Sequence, residues 1–322
     1  MLRKLLIKIL HAKPTMYSGS LVLNLVGMQW IRILFFYLHR VLRSKKPVSL
    51  KYIGYVKELE EKGFVVIPNF LSNENHVRFK KEYDSLVPFF ENDSAEILLP
   101  HVDRLSLHSN RISDFTKNLF LKNELMESVA TAFLNRKYHL DIKGYLTRIY
   151  INQAELDQPK NGGTNNLHFD APLRVLKFFY YLSDTDENNA AFNYCPNTHK
   201  RNSLSRLWFE YILSIRYVLN KWKDDSKGEY MNGEPWVTIT KREMEKHNLK
   251  IMPIRGKANT LVIANTGGFH KRGAFLRPGV RETVEINYRD VETLRNDLYP
   301  LEKKLRDLYS KKEAPSTAPK TA

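Results

Sequence analysis

Apolar residues change their spacing partway along the chain. From Tyr55 to Lys62, and from Ser72 to about Leu86, they recur at helical intervals, and between them Gly63-Phe64-Val65-Val66-Ile67 reads as a short strand. Ser72 is placed to cap the second helix, since a short hydroxyl can accept from the backbone N–H groups left over in a first turn. Residues 113 to 138 read as helical as well, with Phe115, Leu119, Leu125, Val129 and Phe133 as the apolar positions. After that the chain turns to strands. Tyr145 to Ile151, Leu173 to Leu182, Thr260 to Ala264 and Thr283 to Tyr288 are rich in aromatic and β-branched residues and are bounded by Gly, Pro, Asn and Asp. Helices followed by strands predict an α+β protein with a mostly β core.

Three stretches stand outside this frame. Residues 1–46 alternate basic and aliphatic positions and then run strongly apolar from Leu21 to Leu42, closing on His39, Arg40, Arg43, Lys45 and Lys46. Asn24, Gln29 and Arg32 interrupt that run, so a helix lying at a membrane surface suits it better than a span of about 20 apolar residues. A helix pair packed on the main domain is the other reading. Residues 203–250 form an insertion whose first half carries Leu207, Trp208, Tyr211, Ile212, Ile215, Val218, Leu219 and Trp222, either a lid or a helix covering one face of the core. Residues 309–322 have the composition of a disordered tail, which leaves 47–308 as the main domain.

Composition adds two points. The 51 Lys and Arg residues outnumber 35 Asp and Glu residues, for a net charge of +16 that favours anionic partners, yet no nucleic-acid motif accompanies it and no nucleic-acid partner is expected. The one cysteine, Cys195, permits no internal disulfide and no cysteine metal cluster; it is expected to be buried, in a reducing cytoplasmic setting, with or without peripheral membrane contact.

Candidate chemistry lies among the strands. His168-Phe169-Asp170 stands at the start of the Leu173 to Leu182 strand, where extended backbone would point the side chains at positions i and i+2 the same way. His270 follows the Thr260 strand through the turn Asn265-Thr266-Gly267-Gly268-Phe269. Two imidazoles and a carboxylate on one side of an iron leave the other positions open, as non-haem Fe(II) oxygenases require. His101-Val102-Asp103 repeats the His-x-Asp pattern but has no evident strand behind it, and His199 sits in a polar turn. Arg281, eleven residues beyond His270, heads the next strand, where its planar guanidinium could grip the distal carboxylate of a dicarboxylate co-substrate. Arg272 and Arg277 read as exposed.

Over roughly residues 55 to 290 the sequence resembles the phytanoyl-CoA dioxygenase-like family of iron and 2-oxoglutarate oxygenases. The likeness is carried by Glu61 to Ser72, by Leu167-His168-Phe169-Asp170, by Asp184 to Lys200, and by Phe269-His270 through Arg281. Asn189 and Asn197-Thr198 depart from the glycine and Gly-Ser that are usual there. The resemblance implies a double-stranded β-helix, a jelly-roll or cupin-like barrel flanked by helices. It also implies Fe(II) on His168, Asp170 and His270, with 2-oxoglutarate and O2 as co-substrates and Arg281 on the distal carboxylate. Tyr150, on the strand before the metal pair, would contact 2-oxoglutarate by the same analogy.

The activity implied is oxidative decarboxylation of 2-oxoglutarate coupled to hydroxylation of a C–H bond in a small-molecule, lipid or glycolipid substrate. Desaturation, epimerisation and ring formation use the same iron. A catalytically silent binding module and a zinc hydrolase on the same triad are the alternatives, and Arg281 speaks against the hydrolase, which needs no distal-carboxylate clamp.

Overall fold

The computed structural model describes residues 27, 30–31, 34, 50–92, 100–134, 142–156, 166–170, 175–200, 204–226 and 237–289. The expected tail at 309–322 and most of residues 1–46 therefore lie outside the described residues.

Helix α1 (Ile53–Lys62) stops at Gly63, whose φ of 91° turns the chain into strand β1 (Phe64–Ile67). Helix α2 (Asn73–Leu86) starts as expected, with Ser72 Oγ accepting from the Asn75 N–H at 3.3 Å. The helical stretch expected over 113 to 138 is split into α3 (Asp114–Phe120) and α4 (Glu124–Leu134). Asn123 makes the break: its amide donates back to the Leu119 carbonyl at 3.1 Å and its oxygen accepts from the Met126 N–H at 3.2 Å, closing one helix and capping the next.

The remaining strands are β2 (Glu91–Asn92), β3 (His101–Ser106), β4 (Lys143–Ile151), β5 (His168–Phe169), β6 (Val175–Tyr181), β7 (Phe192–Tyr194), β8 (Val237–Thr238), β9 (Met252–Ile254), β10 (Thr260–Asn265), β11 (His270–Arg272) and β12 (Gly279–Arg289). They form two antiparallel sheets, one in the order β1-β10-β6-β12-β4-β3-β2 and the other β8-β5-β11-β7-β9. Two expectations change here. His101 does begin a strand, and His168-Phe169 is a two-residue strand in the smaller sheet, separate from β6 in the larger one.

Side-chain alternation sorts the larger sheet into two faces. Leu146, Leu176, Phe178, Tyr180, Val284, Ile286 and Tyr288 pack outward on α1, α2, α3 and α4 through residues such as Leu59, Phe79, Phe120 and Val129. Phe179, Tyr181, Val262 and Ala264 point inward and meet Phe192, Tyr194 and Ile254 of the smaller sheet. Two sheets closed face to face over this inner core make a double-stranded β-helix.

Helix α5 (Leu204–Ser226) opens the insertion and is followed by β8 and the short α6 (Lys241–Lys246). Leu213 and Phe209 of α5 join Leu167, Phe169, Cys195 and Phe269 on the outer face of the smaller sheet, so α5 is a covering helix there. Cys195 is buried, and burial pushes its thiol up to about 11, in keeping with an inert structural residue. Trp30 packs edge-on against Trp208 and Tyr211 of α5, with ring centroids 5.9 and 6.0 Å apart. Among the described residues no helix is long and apolar enough to cross a membrane.

Candidate metal centre

β5 and β11 are neighbours in the smaller sheet, and their register makes His168 and His270 direct Cα partners. Both side chains point into the barrel while Phe169 and Phe269 point out into the cluster under α5. The imidazole centroids are 4.4 Å apart. Asp170 follows β5, and its N–H donates to the Thr266 carbonyl at 3.0 Å, tying it to the turn that delivers His270. Asp170 Oδ1 lies 4.0 Å from His168 Nε2 and 3.7 Å from His270 Nε2. One ligand atom from each of the three residues falls within 4.8 Å of the others, and all three are buried.

The backbone sets which imidazole nitrogen faces inward. His168 Nδ1 lies 2.6 Å from the Asn166 carbonyl and His270 Nδ1 2.9 Å from the Gly268 carbonyl. A carbonyl can only accept, so each Nδ1 carries the proton and each Nε2 presents a lone pair. Burial is the largest influence on both rings and holds them neutral: His168 is lowered from its ordinary value, and His270 is pulled down to about 3. Neutral imidazoles are the form a metal needs.

The turn before His270 is tightly fitted. A Cβ at Gly268 would run into the Tyr194 hydroxyl, which itself donates to the Asn265 carbonyl at 2.9 Å. Only a residue without a side chain lets the two approach this closely.

Arg281 stands on the inner face of β12 and is 4% exposed, with a guanidinium N–H donating to the Ala190 carbonyl. Two residues the sequence reading passed over share that face. Thr283 lies two positions along the same strand and Thr147 is its Cα partner on β4; both are fully buried, and neither hydroxyl finds a hydrogen-bond partner among the described residues. Strand periodicity from Arg281 was the signal that would have found Thr283. Arg272, expected at the surface, is instead buried on the same face of β11 as His270, near enough for its charge to lower His168. Lys177, on the inner face of β6, places its ammonium 2.8 Å from Asp170 Oδ2.

Other expected residues are elsewhere. Alternation along β4 puts Tyr150 on the face opposite Ile149 and Thr147, where it stacks on His101 at 5.1 Å, so the structure does not bring it to Arg281 or to the three donors. Its phenol is raised chiefly by burial and then by Asp103. His101, from the second His-x-Asp, pairs with Glu155 at 2.7 Å. His199 is buried with Nε2 3.0 Å from the Glu60 carbonyl, a structural contact.

The donor chemistry fits iron and 2-oxoglutarate. Two neutral nitrogen donors and one carboxylate suit a non-haem Fe(II), and a buried guanidinium beside two buried hydroxyls suits a distal carboxylate.

No curated protein matches the chain. Among solved structures it is similar to the epimerase SnoN in complex with Fe3+, alpha ketoglutarate and nogalamycin RO, at 13% identity over 74% of this chain and 83% of that one, with a TM-score of 0.49. AviO1 from Streptomyces viridochromogenes Tue57 is 14% identical over 76% of this chain and 97% of that one, with a TM-score of 0.45. HygX from Streptomyces hygroscopicus with nickel, 2-oxoglutarate and hygromycin B bound is 12% identical over 75% and 87%, with a TM-score of 0.44. The family description phytanoyl-CoA dioxygenase matches residues 59–229, a span that includes His168 and Asp170 and ends before His270 and Arg281. On that match the chain belongs to the phytanoyl-CoA dioxygenase family, and it is a 2-oxoglutarate-dependent non-haem iron enzyme.

Proposed function

We propose that the enzyme hydroxylates a C–H bond of a small-molecule, lipid or glycolipid substrate. His168, Asp170 and His270 hold the iron, and Arg281, with Thr147 and Thr283 beside it, holds the distal carboxylate of 2-oxoglutarate. The observation that carries this reading is the convergence of the three donor atoms within 4.8 Å inside the barrel. When bound, iron with 2-oxoglutarate supplies the oxidising power, spending O2 and releasing succinate and carbon dioxide. The chain's own part is to keep both imidazoles neutral, to present the Asp170 carboxylate, and to enclose the reacting atoms between two sheets whose facing residues Phe179, Phe192 and Tyr181 are buried and packed together.

The test is succinate release from 2-oxoglutarate by Fe(II)-loaded protein exposed to O2, beside Asp170→Ala. Iron-dependent release that disappears in the variant supports the reading. Absence of release, joined by absence of 2-oxoglutarate binding in calorimetry, would favour a binding module or a hydrolase. Mass analysis of the product, a gain of one oxygen atom, separates hydroxylation from desaturation, epimerisation and ring closure.

A membrane-associated substrate has its own support. Leu204, Trp208 and Ile212 are 71%, 54% and 45% exposed at four-residue spacing on α5, and Trp30 of the apolar N-terminal segment packs against Trp208. Basic residues flanking that segment suit an anionic lipid surface. Liposome flotation of the full chain beside Trp208→Ala with Ile212→Glu tests it; equal and negligible flotation of both would sink the membrane reading.

A further inference from the structure

Lys177 is out of character with its strand. Its neighbours on the inner face of β6, Val175 and Phe179, are buried and apolar, its own side chain is only 19% exposed, and an ammonium partly withdrawn from water in such company is costly unless an opposite charge meets it. Register fixes where it points: Lys177 is the Cα partner of Ala264 on one side and Asn287 on the other, on an interior strand of the larger sheet. Across the barrel its ammonium reaches the Asp170 carboxylate, whose side chain is 2% exposed.

The two carboxylate oxygens have different neighbours. Oδ1 turns to the imidazoles, 3.7 Å from His270 Nε2 and 4.0 Å from His168 Nε2, while Oδ2 lies 2.8 Å from Lys177 Nζ. One oxygen faces the donor set and the other is occupied by a cation from the opposite sheet. We propose that Lys177 is a positioning residue: it holds Asp170 Oδ2 so that the carboxylate meets the metal through Oδ1 alone, keeping further coordination positions open for 2-oxoglutarate and O2. The inference rests on the metal-site reading above. Partners behind a ligand of this kind commonly govern metal affinity by about 10- to 100-fold.

The test uses the full metal-free chain, titrated with Co(II) by calorimetry and followed by the visible absorption of the bound ion, which reports coordination number and geometry. Lys177→Met is expected to bind Co(II) about tenfold or more weakly, with an altered absorption spectrum. Lys177→Arg, which restores a cation, is expected to recover most of the affinity and the wild-type spectrum. If Lys177→Met fails to fold, as thermal melting would show, Lys177→Gln takes its place with the same expected weakening. A folded neutral variant that binds Co(II) with wild-type affinity and spectrum, or more tightly, overturns the proposal. Failure of the wild-type chain itself to bind Co(II) overturns the metal-site reading and this inference with it.

Discussion

Thr283 stands directly opposite Thr147 in the register between β12 and β4, both hydroxyls buried on the face that carries Arg281. A buried hydroxyl without a partner costs about 1–3 kcal/mol, and valine replaces it at nearly the same shape. Thr147→Val and Thr283→Val should therefore leave the metal-free protein at least as stable as wild type, while each weakens 2-oxoglutarate binding by about fivefold, the worth of one net hydrogen bond. Thermal melting and calorimetry on the same samples check both halves. Loss of stability with unchanged 2-oxoglutarate affinity would show the pair to be structural.

Arg281→Lys keeps the charge and loses the planar pair of donors. The expected result is a KM for 2-oxoglutarate raised at least about tenfold, with Co(II) affinity in the absence of 2-oxoglutarate unchanged. Steady-state kinetics with varied 2-oxoglutarate reads the first, and a metal titration reads the second.

Gly268→Ala forces a methyl group against the Tyr194 hydroxyl, in the turn that leads to His270. Overpacking at a tight backbone contact typically costs about 1–3 kcal/mol. Urea unfolding should show that loss, and metal affinity should fall with it. Gly268→Ala with Tyr194→Phe, which removes the oxygen from the clash, should regain part of both.

The two imidazoles make the metal-free protein sensitive to acid. Burial lowers His168 and His270 below the ordinary 6.5 in the folded state, so beneath that pH the unfolded chain takes up protons that the folded chain refuses. Stability is thus retained above pH 6.5 and lost as the pH falls below it, by at most about 1.4 kcal/mol per pH unit for each histidine. Urea unfolding at pH 7.5 and 5.5 measures the difference, and His270→Gln should reduce it. A wild-type profile flat across that interval would show that the rings take up protons in the fold as readily as in the unfolded chain.

The parts of the structure legible in the sequence are those decided locally. Ser72 capped its helix and Gly63 ended one because such signals act within a turn or two, and the aromatic and β-branched runs became β4, β6, β10 and β12. The short strands of the smaller sheet were missed, since two or three residues such as His168-Phe169 carry too little periodicity to be read. Asn123 hid a helix break because Asn is tolerated within helices as well as at their caps. At the site, spacing and resemblance point to His168, Asp170 and His270, which the fold brings together, and to Arg281 on the inner face of β12, whereas one position of strand alternation puts Tyr150 on the opposite face of β4. Lys177 and Arg272 carry no local signal of their place: Lys177 is near Asp170 in sequence but sits in the other sheet, and Arg272 comes from a strand far along the chain from His168, so only the closed barrel brings each to the site.

The pairing of His168 with His270 also says something about time. The partners are 102 residues apart in the chain, with β6, the covering helix and β10 threaded between them. Closing so long a loop is among the later events expected in folding, since the entropy of the intervening chain must be overcome before the contact forms. A nascent chain that has exposed His168 and Asp170 but not yet His270 holds two of the three donors, so tight metal capture should mark the moment at which the last part of the barrel has docked. Metal uptake during refolding would then serve as a clock for barrel closure.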